Sequence, residues 1–90
     1  MKEKEEELFS NLITFSTFIL SLNTAALVHL GEIPDPLTNK KEVNLILAKQ
    51  TIDTLEMLKE KTKGNLTSDE AKLLQTILYE LKLKFLKLVE

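Results

Sequence analysis

The stretch that decides the fold is FSTFILSLNTAALVHLGEIPDP, residues 15–36. From Phe15 to Leu30 it carries no formal charge unless His29 is protonated, and it is then broken by Gly31 and two prolines. A glycine just past the last helical residue, followed by prolines, is typical of a helix C-terminus. The stretch therefore predicts an apolar helix that ends near residue 30.

The apolar spacing of this helix continues upstream. Glu5, Glu6 and Glu7 lie before it, where carboxylates complement the positive end of the helix dipole. Apolar side chains with 4-3 spacing, which lie on one side of a helix, occur at Leu8, Leu12, Phe15, Ile19, Leu22 and Ala26. We therefore predict a first helix over about residues 6–30 and a loop over residues 31–43.

This first helix lacks a charged side. Surface helices normally have one, so we expect this helix to be buried on most of its circumference. Two further helices of the same chain cover only part of it, and soluble monomers rarely expose a large apolar patch. The simplest remedy is a homo-oligomer, most simply a two-fold dimer. Its predicted interface joins a second apolar row to a row of small residues: Phe9, Ile13, Leu20, Leu27, Ser21, Thr24 and Ala25.

Two amphipathic helices follow the loop. The apolar spacing after Asn44 predicts a second helix over about residues 44–63, which Gly64 and Asn65 end. Thr67 and Glu70 form a capping-box pattern that predicts a third helix over about residues 68–89. The short turn between them makes an antiparallel hairpin. The prediction is one all-α domain over residues 1–90, with a long N-terminal helix plus an antiparallel helical hairpin, completed as a helical bundle by oligomerisation.

Composition excludes several classes of protein. All 12 basic residues are lysine, the net charge is −2 and only 6% of residues are aromatic, whereas nucleic-acid binding favours arginine, a basic excess and stacking platforms. Cysteine is absent, which excludes disulfides and thiolate sites. The acidic start MKEKEEE does not resemble a basic signal-peptide start. We expect a cytoplasmic protein that has no cofactor and no nucleic-acid partner.

A metal or hydrolytic site is the first alternative. His29 is the only histidine, and Glu32 and Asp35 follow it across the Gly31 break. Imidazole and carboxylate groups can share a cation or transfer a proton. The competing structural explanation is that His29 caps carbonyl groups at the helix end, where a cation is favoured. We predict no catalytic or metal-binding residues and keep these three as the candidates of the alternative.

Membrane association through the first helix is the second alternative. The uncharged segment from Leu8 to Gly31 is long enough to span a bilayer. Ser, Thr, Asn and His make up nine of its residues, and neither Trp nor Tyr marks its ends. We therefore do not expect the protein to bind membranes.

Two side chains beside the core rows have structural explanations. Lys49 has Asp53 four residues on as an ion-pair partner, and it has no companion base. Tyr79 is the only tyrosine and lies next to the core side of the third helix. We expect it to be buried, with its hydroxyl hydrogen-bonded.

Three segments resemble a known family. They are FSTFILSLNTAALVHLGEIPDP (Phe15–Pro36), AKQTIDTLEMLKEKTKGNLT (Ala48–Thr67) and LLQTILYELKLKF (Leu73–Phe85), and they resemble the bacterial family known as domain of unknown function 1844. The resemblance implies a small bacterial cytoplasmic helical protein and supplies no catalytic residues. Two positions depart from the pattern: Asn23 stands where a small residue is expected, and Ile46 where proline is expected.

The sequence therefore favours a non-enzymatic, homo-oligomeric interaction module. Its first helix forms the contact between copies, and the corner formed by residues 29–36 is expected to meet an unidentified protein partner.

Overall fold

The computed structural model describes residues 13–90 of the chain. In that range the protein is all-α and contains three helices, α1 (Phe15–His29), α2 (Leu45–Lys61) and α3 (Ser68–Val89). The predicted fold class of three helices is confirmed. Completion of a bundle by oligomerisation stays a prediction.

Helix α1 begins later than its apolar spacing indicates. The Thr14 hydroxyl accepts the Thr17 N–H at 3.0 Å, and the Thr17 hydroxyl accepts the Thr14 N–H at 3.0 Å, which is a reciprocal N-cap. An unbroken helix over residues 6–30 is therefore wrong at Ile13 and Thr14, which are not helical. The predicted start near residue 6, and Phe9 of the predicted interface, lie outside the described residues.

The end of α1 is closed by main-chain hydrogen bonds. Leu30 is the C-cap, and Gly31 follows it with a φ of 77°. The Gly31 N–H donates to the Val28 carbonyl at 3.0 Å, and the Glu32 N–H donates to the Leu27 carbonyl at 2.9 Å. These two bonds form a Schellman motif, which needs a left-handed residue at Gly31.

The loop after Gly31 returns to the end of α1. Val43 pairs with Leu30 in an isolated antiparallel bridge, and the Asn44 N–H donates to the His29 carbonyl at 2.7 Å. The Asn44 side chain also accepts the Leu47 N–H at 3.0 Å and so caps α2. Helix α2 thus begins beside the end of α1.

Helices α2 and α3 form the hairpin. Helix α2 ends at Lys61, and Gly64 in the turn has a φ of 83°. The predicted capping box of α3 is confirmed, because the Thr67 hydroxyl accepts the Glu70 N–H at 3.2 Å and the Glu70 carboxylate accepts the Thr67 N–H at 2.8 Å.

The core draws side chains from all three helices. Its largest fully buried members are Ile19, Leu55, Leu74 and Leu81, and Phe15, Leu22 and Phe85 pack against its edge. Leu88, near the C-terminal end of α3 and seven residues after the buried Leu81, is exposed. Lys49 and Asp53 form the predicted surface ion pair at 2.9 Å, a kind of contact that adds little stability. Apolar burial is therefore the main stabilising term.

The two glycines give a matched stability test. An alanine Cβ at Gly31 would lie 2.8 Å from Val43 Cγ2, whereas at Gly64 it would meet nothing within 4 Å. Because both have a positive φ, we expect Gly64→Ala to lower the free energy of unfolding by about 1–2 kcal/mol. Gly31→Ala should cost roughly 1–3 kcal/mol more through overpacking. Urea unfolding followed by circular dichroism measures both.

Adding Val43→Ala to Gly31→Ala supplies the control. Measured against the Val43→Ala single variant, which lacks Cγ2, Gly31→Ala should cost about as much as Gly64→Ala, because only the left-handed backbone penalty remains. Equal costs for the two single glycine variants would contradict the close approach of Val43.

The N-cap of α3 gives a second test. We expect Thr67→Ala to lower the free energy of unfolding by about 1 kcal/mol, because the Glu70 N–H loses its acceptor. Thr76→Ala, at an exposed position inside the same helix, is the control and should be close to neutral. Thermal unfolding in which both variants behave alike would argue against the cap.

Candidate functional site

The corner after α1 is stabilised by the main chain. Backbone N–H groups bond to the last carbonyls of the helix: Leu30 donates to Ala26 at 2.8 Å, Gly31 to Val28, Glu32 to Leu27, and Asn44 to His29. The capping role expected of the His29 side chain is therefore filled by backbone amides. The His29 ring lies half-buried in the last turn of α1.

The two carboxylates of the corner have separate structural partners. Glu32 Oε1 lies 3.4 Å from Lys84 Nζ on α3. Asp35 Oδ1 accepts the Leu37 N–H at 2.8 Å, and the Asp35 backbone bonds to Asn39 and Lys40 across the loop. Asp35 thus makes an Asx-type turn that shapes the loop.

The metal alternative receives no support from this geometry. Within residues 13–90, no three His, Asp or Glu side chains are grouped so that they could hold a metal ion. His29, Glu32 and Asp35 follow one another in sequence, but the structure does not bring them together as a set of ligands.

The outer side of α1 is the more distinctive feature. It carries no charged side chain from Phe15 to Val28. Its exposed apolar residues are Ile13, 83% exposed, Phe18, and Leu20, 45% exposed. We refer to this surface, formed by Ile13, Thr17, Phe18, Leu20, Ser21 and Thr24, as the outer face of α1.

The hydroxyl groups of the outer face bond to their own helix. Ser21 donates to the Phe18 carbonyl at 2.7 Å, and Thr24 donates to the Leu20 carbonyl at 3.1 Å. Thr17 likewise donates to the Thr14 carbonyl at 3.0 Å. Because a buried hydroxyl is costly only when it lacks a partner, these residues can enter an interface without that cost.

The spacing of the outer face suits a partner helix. Thr17, Leu20, Thr24 and Leu27 of α1 are separated by three, four and three residues, which is the spacing of a helix–helix seam. Large and small side chains alternate along it. The outer face can therefore pack lengthwise against another helix.

The predicted interface residues are divided between two sides of the helix. Ile13, Leu20, Ser21 and Thr24 are exposed, whereas Ala25 is half-buried. Leu27 packs against the core of its own chain, because the seam approaches the hairpin at its C-terminal end.

Two exposed aromatic side chains, Phe18 and Tyr79, differ from what the sequence predicts. Phe18 is exposed and is absent from the predicted contacts, although it stands beside the row of small residues that includes Ser21 and Ala25. Tyr79 was expected to be buried, and this is wrong, since the side chain is 66% exposed. It follows the buried Leu78 on α3 but is exposed to solvent, and it lines a groove with Leu78, Lys59 and Gln75.

The membrane alternative requires a helix that is long and apolar enough to span a bilayer. Within residues 13–90, no helix is both long enough and apolar enough to cross a bilayer. Helix α1 has 15 residues, or about 22 Å at the usual rise.

Comparison with known proteins identifies the family. The sequence model of the family described as Domain of unknown function (DUF1844) matches residues 2–87 of the 90 residues. No curated protein and no solved structure shows significant similarity to the chain. The chain belongs to the DUF1844 family, as its three segments suggest.

Substitution of Asp35 distinguishes a turn from a metal ligand. We expect Asp35→Ala to lower the free energy of unfolding by about 1 kcal/mol, because the Leu37 N–H loses its acceptor. Asp35→Asn keeps an acceptor oxygen and should be close to neutral. Thermal unfolding with and without Zn²⁺ provides the second measurement. A rise in Tm with Zn²⁺ that Asp35→Ala abolishes would contradict the turn as the sole role of Asp35.

Proposed function

We propose that this member of the DUF1844 family is a non-enzymatic interaction module that self-associates through the outer face of α1. The observation that carries this proposal is the absence of any charged side chain on the exposed side of α1 from Phe15 to Val28. Solvent-facing sides of helices are normally charged. An apolar one with satisfied hydroxyl groups has the properties of a contact surface.

A second copy of the chain is the partner that fits best. An uncharged surface offers no counterion, so a charged partner surface would lose water without gaining a partner. A second copy brings the same uncharged seam. A two-fold arrangement then places each outer face against its own equivalent, so that both are covered.

The non-enzymatic part of the proposal rests on the corner residues. Glu32 is paired with Lys84, and Asp35 is bonded within its loop. These side chains stabilise the loop that joins α1 to α2, and this structural role is sufficient reason for their presence. The contact of the corner with an unidentified protein stays a prediction.

The size of the seam limits the strength of association. Helix α1 has 15 residues, and only one side of it is available for contact, which is fewer than the roughly 20–30 residues that each partner contributes to a standard interface. We therefore expect a dissociation constant on the order of micromolar, near −8 kcal/mol. The dimer fraction should depend on concentration in that range.

Molar mass in solution tests the proposal. Light scattering after size exclusion should give twice 10.3 kDa at high concentration. Leu20→Glu should give 10.3 kDa, because it places a charge in the contact without disturbing the core. Its monomeric form should remain helical by circular dichroism.

Met57→Glu is the matched control. Met57 on α2 is 48% exposed, close to the 45% of Leu20, but it lies on another helix. It should leave the mass of the dimer unchanged. A wild-type monomer at every concentration, or a dimer that Leu20→Glu does not dissociate, would overturn the proposal.

A further inference from the structure

A continuous groove runs along the seam between α2 and α3. It consists of four adjoining cavities, none of which is lined by a residue of α1. Neighbouring cavities share lining residues. The cavity beside Ile46 shares Lys49 and Phe85 with the cavity beside Ile52, which shares Lys82 with the cavity beside Tyr79. The cavity beside Tyr79 shares Lys59 with the cavity beside Gly64, at the turn. We refer to this feature as the hairpin groove. Its length matches that of α2, about 25 Å for 17 residues.

The floor and walls of the hairpin groove are apolar. The floor contains the buried side chains of Ile52 and Leu78. Ile46, 73% exposed, and Leu86 rise from the two helices at one end, and Tyr79 stands near the middle. Exposed Tyr and aliphatic side chains around a recess are typical of a surface that anchors a partner.

The charges that line the hairpin groove are mostly positive. Lys49, Lys59, Lys63 and Lys82 line it, whereas Asp53 is the one carboxylate among the lining residues. Lys49 pairs with Asp53 and Lys82 with Glu56. Lys49, Asp53 and Lys82 are exposed and Glu56 is partly exposed, so both pairs are screened by solvent and contribute little. The lysine side chains remain able to bind carboxylates of an incoming partner.

We propose that the hairpin groove binds an amphipathic helix of a partner protein whose apolar row is flanked by carboxylates. The apolar floor would take that row, and the four lysines would face the acidic flanks, as in other helix-in-groove complexes. The bound helix would be the fourth helix of a bundle with α1, α2 and α3. This inference rests on α2 and α3, so it is independent of self-association through α1.

A second copy of the chain fits this groove less well. The outer face of α1 is uncharged and would leave the lysines without partners. Two hairpin grooves facing each other would place lysine against lysine, which repels. A carboxylate-flanked helix from a different protein satisfies both the apolar floor and the lysines.

Tyr79 provides a built-in reporter for the test. It is the only tyrosine, and the chain has no tryptophan, so tyrosine fluorescence of the full chain reports on the middle of the groove. The probe is a synthetic helical peptide of about 17 residues with leucines at 4-3 spacing, glutamates on both flanks, and neither Tyr nor Trp. The control peptide keeps the leucines and replaces every glutamate by lysine.

The expected result is a saturable fluorescence change with the glutamate peptide. The lysine peptide should bind at least roughly tenfold more weakly, which corresponds to about 1.4 kcal/mol. Failure of the glutamate peptide to give a saturable change, or equal binding of the two peptides, would overturn the proposal.

Variants locate the binding site. Ile46→Glu and the double variant Lys59→Glu, Lys63→Glu should each weaken binding of the glutamate peptide by roughly tenfold. Leu37→Glu is the control, because Leu37 is 93% exposed and lines none of the four cavities. The affinity of Leu37→Glu for the glutamate peptide should match that of the wild type. If this variant lost as much affinity as the groove variants, the assignment of the peptide to the groove would be overturned.

The mass of Ile46→Glu distinguishes a partner helix from a second copy. It should equal that of the wild type. If Ile46→Glu lowered the mass while Leu20→Glu did not, the groove would be the contact between copies, and both proposals would be wrong. If only Leu20→Glu lowered the mass and the peptide did not bind, self-association through α1 would stand and the inference about the groove would fall.

Discussion

The fold depends on the tight closure of α1 at Gly31. The left-handed backbone there lets the Gly31 and Glu32 N–H groups reach the last carbonyls of the helix, and the missing side chain lets Val43 approach to a distance that a Cβ would forbid. Val43 then pairs with Leu30, and the next residue, Asn44, bonds to the His29 carbonyl and caps α2. The closure at Gly31 thus ends α1, the bridge between Leu30 and Val43 returns the chain to it, and the Asn44 cap starts α2. The packing of α2 against α1 in one core follows from these three features.

This arrangement determines which surfaces stay open. Helix α1 covers one side of the hairpin, and Ile19 and Ala26 are fully buried there. Its outer face and the hairpin groove have no covering element among residues 13–90. The two surfaces differ in chemistry. The outer face of α1 is uncharged and has hydroxyl groups bonded to their own helix, whereas the groove has an apolar floor and its charged lining residues are mainly lysines. A helix that was charged on its outer side would need no partner there.

Much of the fold follows from local signals in the sequence. The sequence pattern alone predicts the end of α1 at Gly31, the capping box at Thr67 and Glu70, and the core rows. Each of these features depends on one short-range mechanism. The start of α1 is different, since apolar spacing continues on both sides of Thr14 and conceals the reciprocal cap with Thr17. Less of the candidate site follows from the sequence. That the predicted interface residues form a contact stays a prediction, and among them Ile13, Leu20, Ser21 and Thr24 are exposed. Leu27 packs inward and Tyr79 is exposed, because the position of a residue beside a core row does not specify the side to which it turns.

The two open surfaces would achieve specificity in different ways. Without charges, the outer face of α1 can discriminate only by shape, and the alternation of leucine with threonine along its 4-3 seam supplies that shape. The hairpin groove can discriminate by sign of charge, since a basic partner helix would place like charges together. If the outer faces of two copies pair, each subunit still presents its own groove, because no residue of α1 lines it. Self-association would then produce a bivalent carrier of acidic helices, whose avidity for a partner with two such helices would exceed that of one groove.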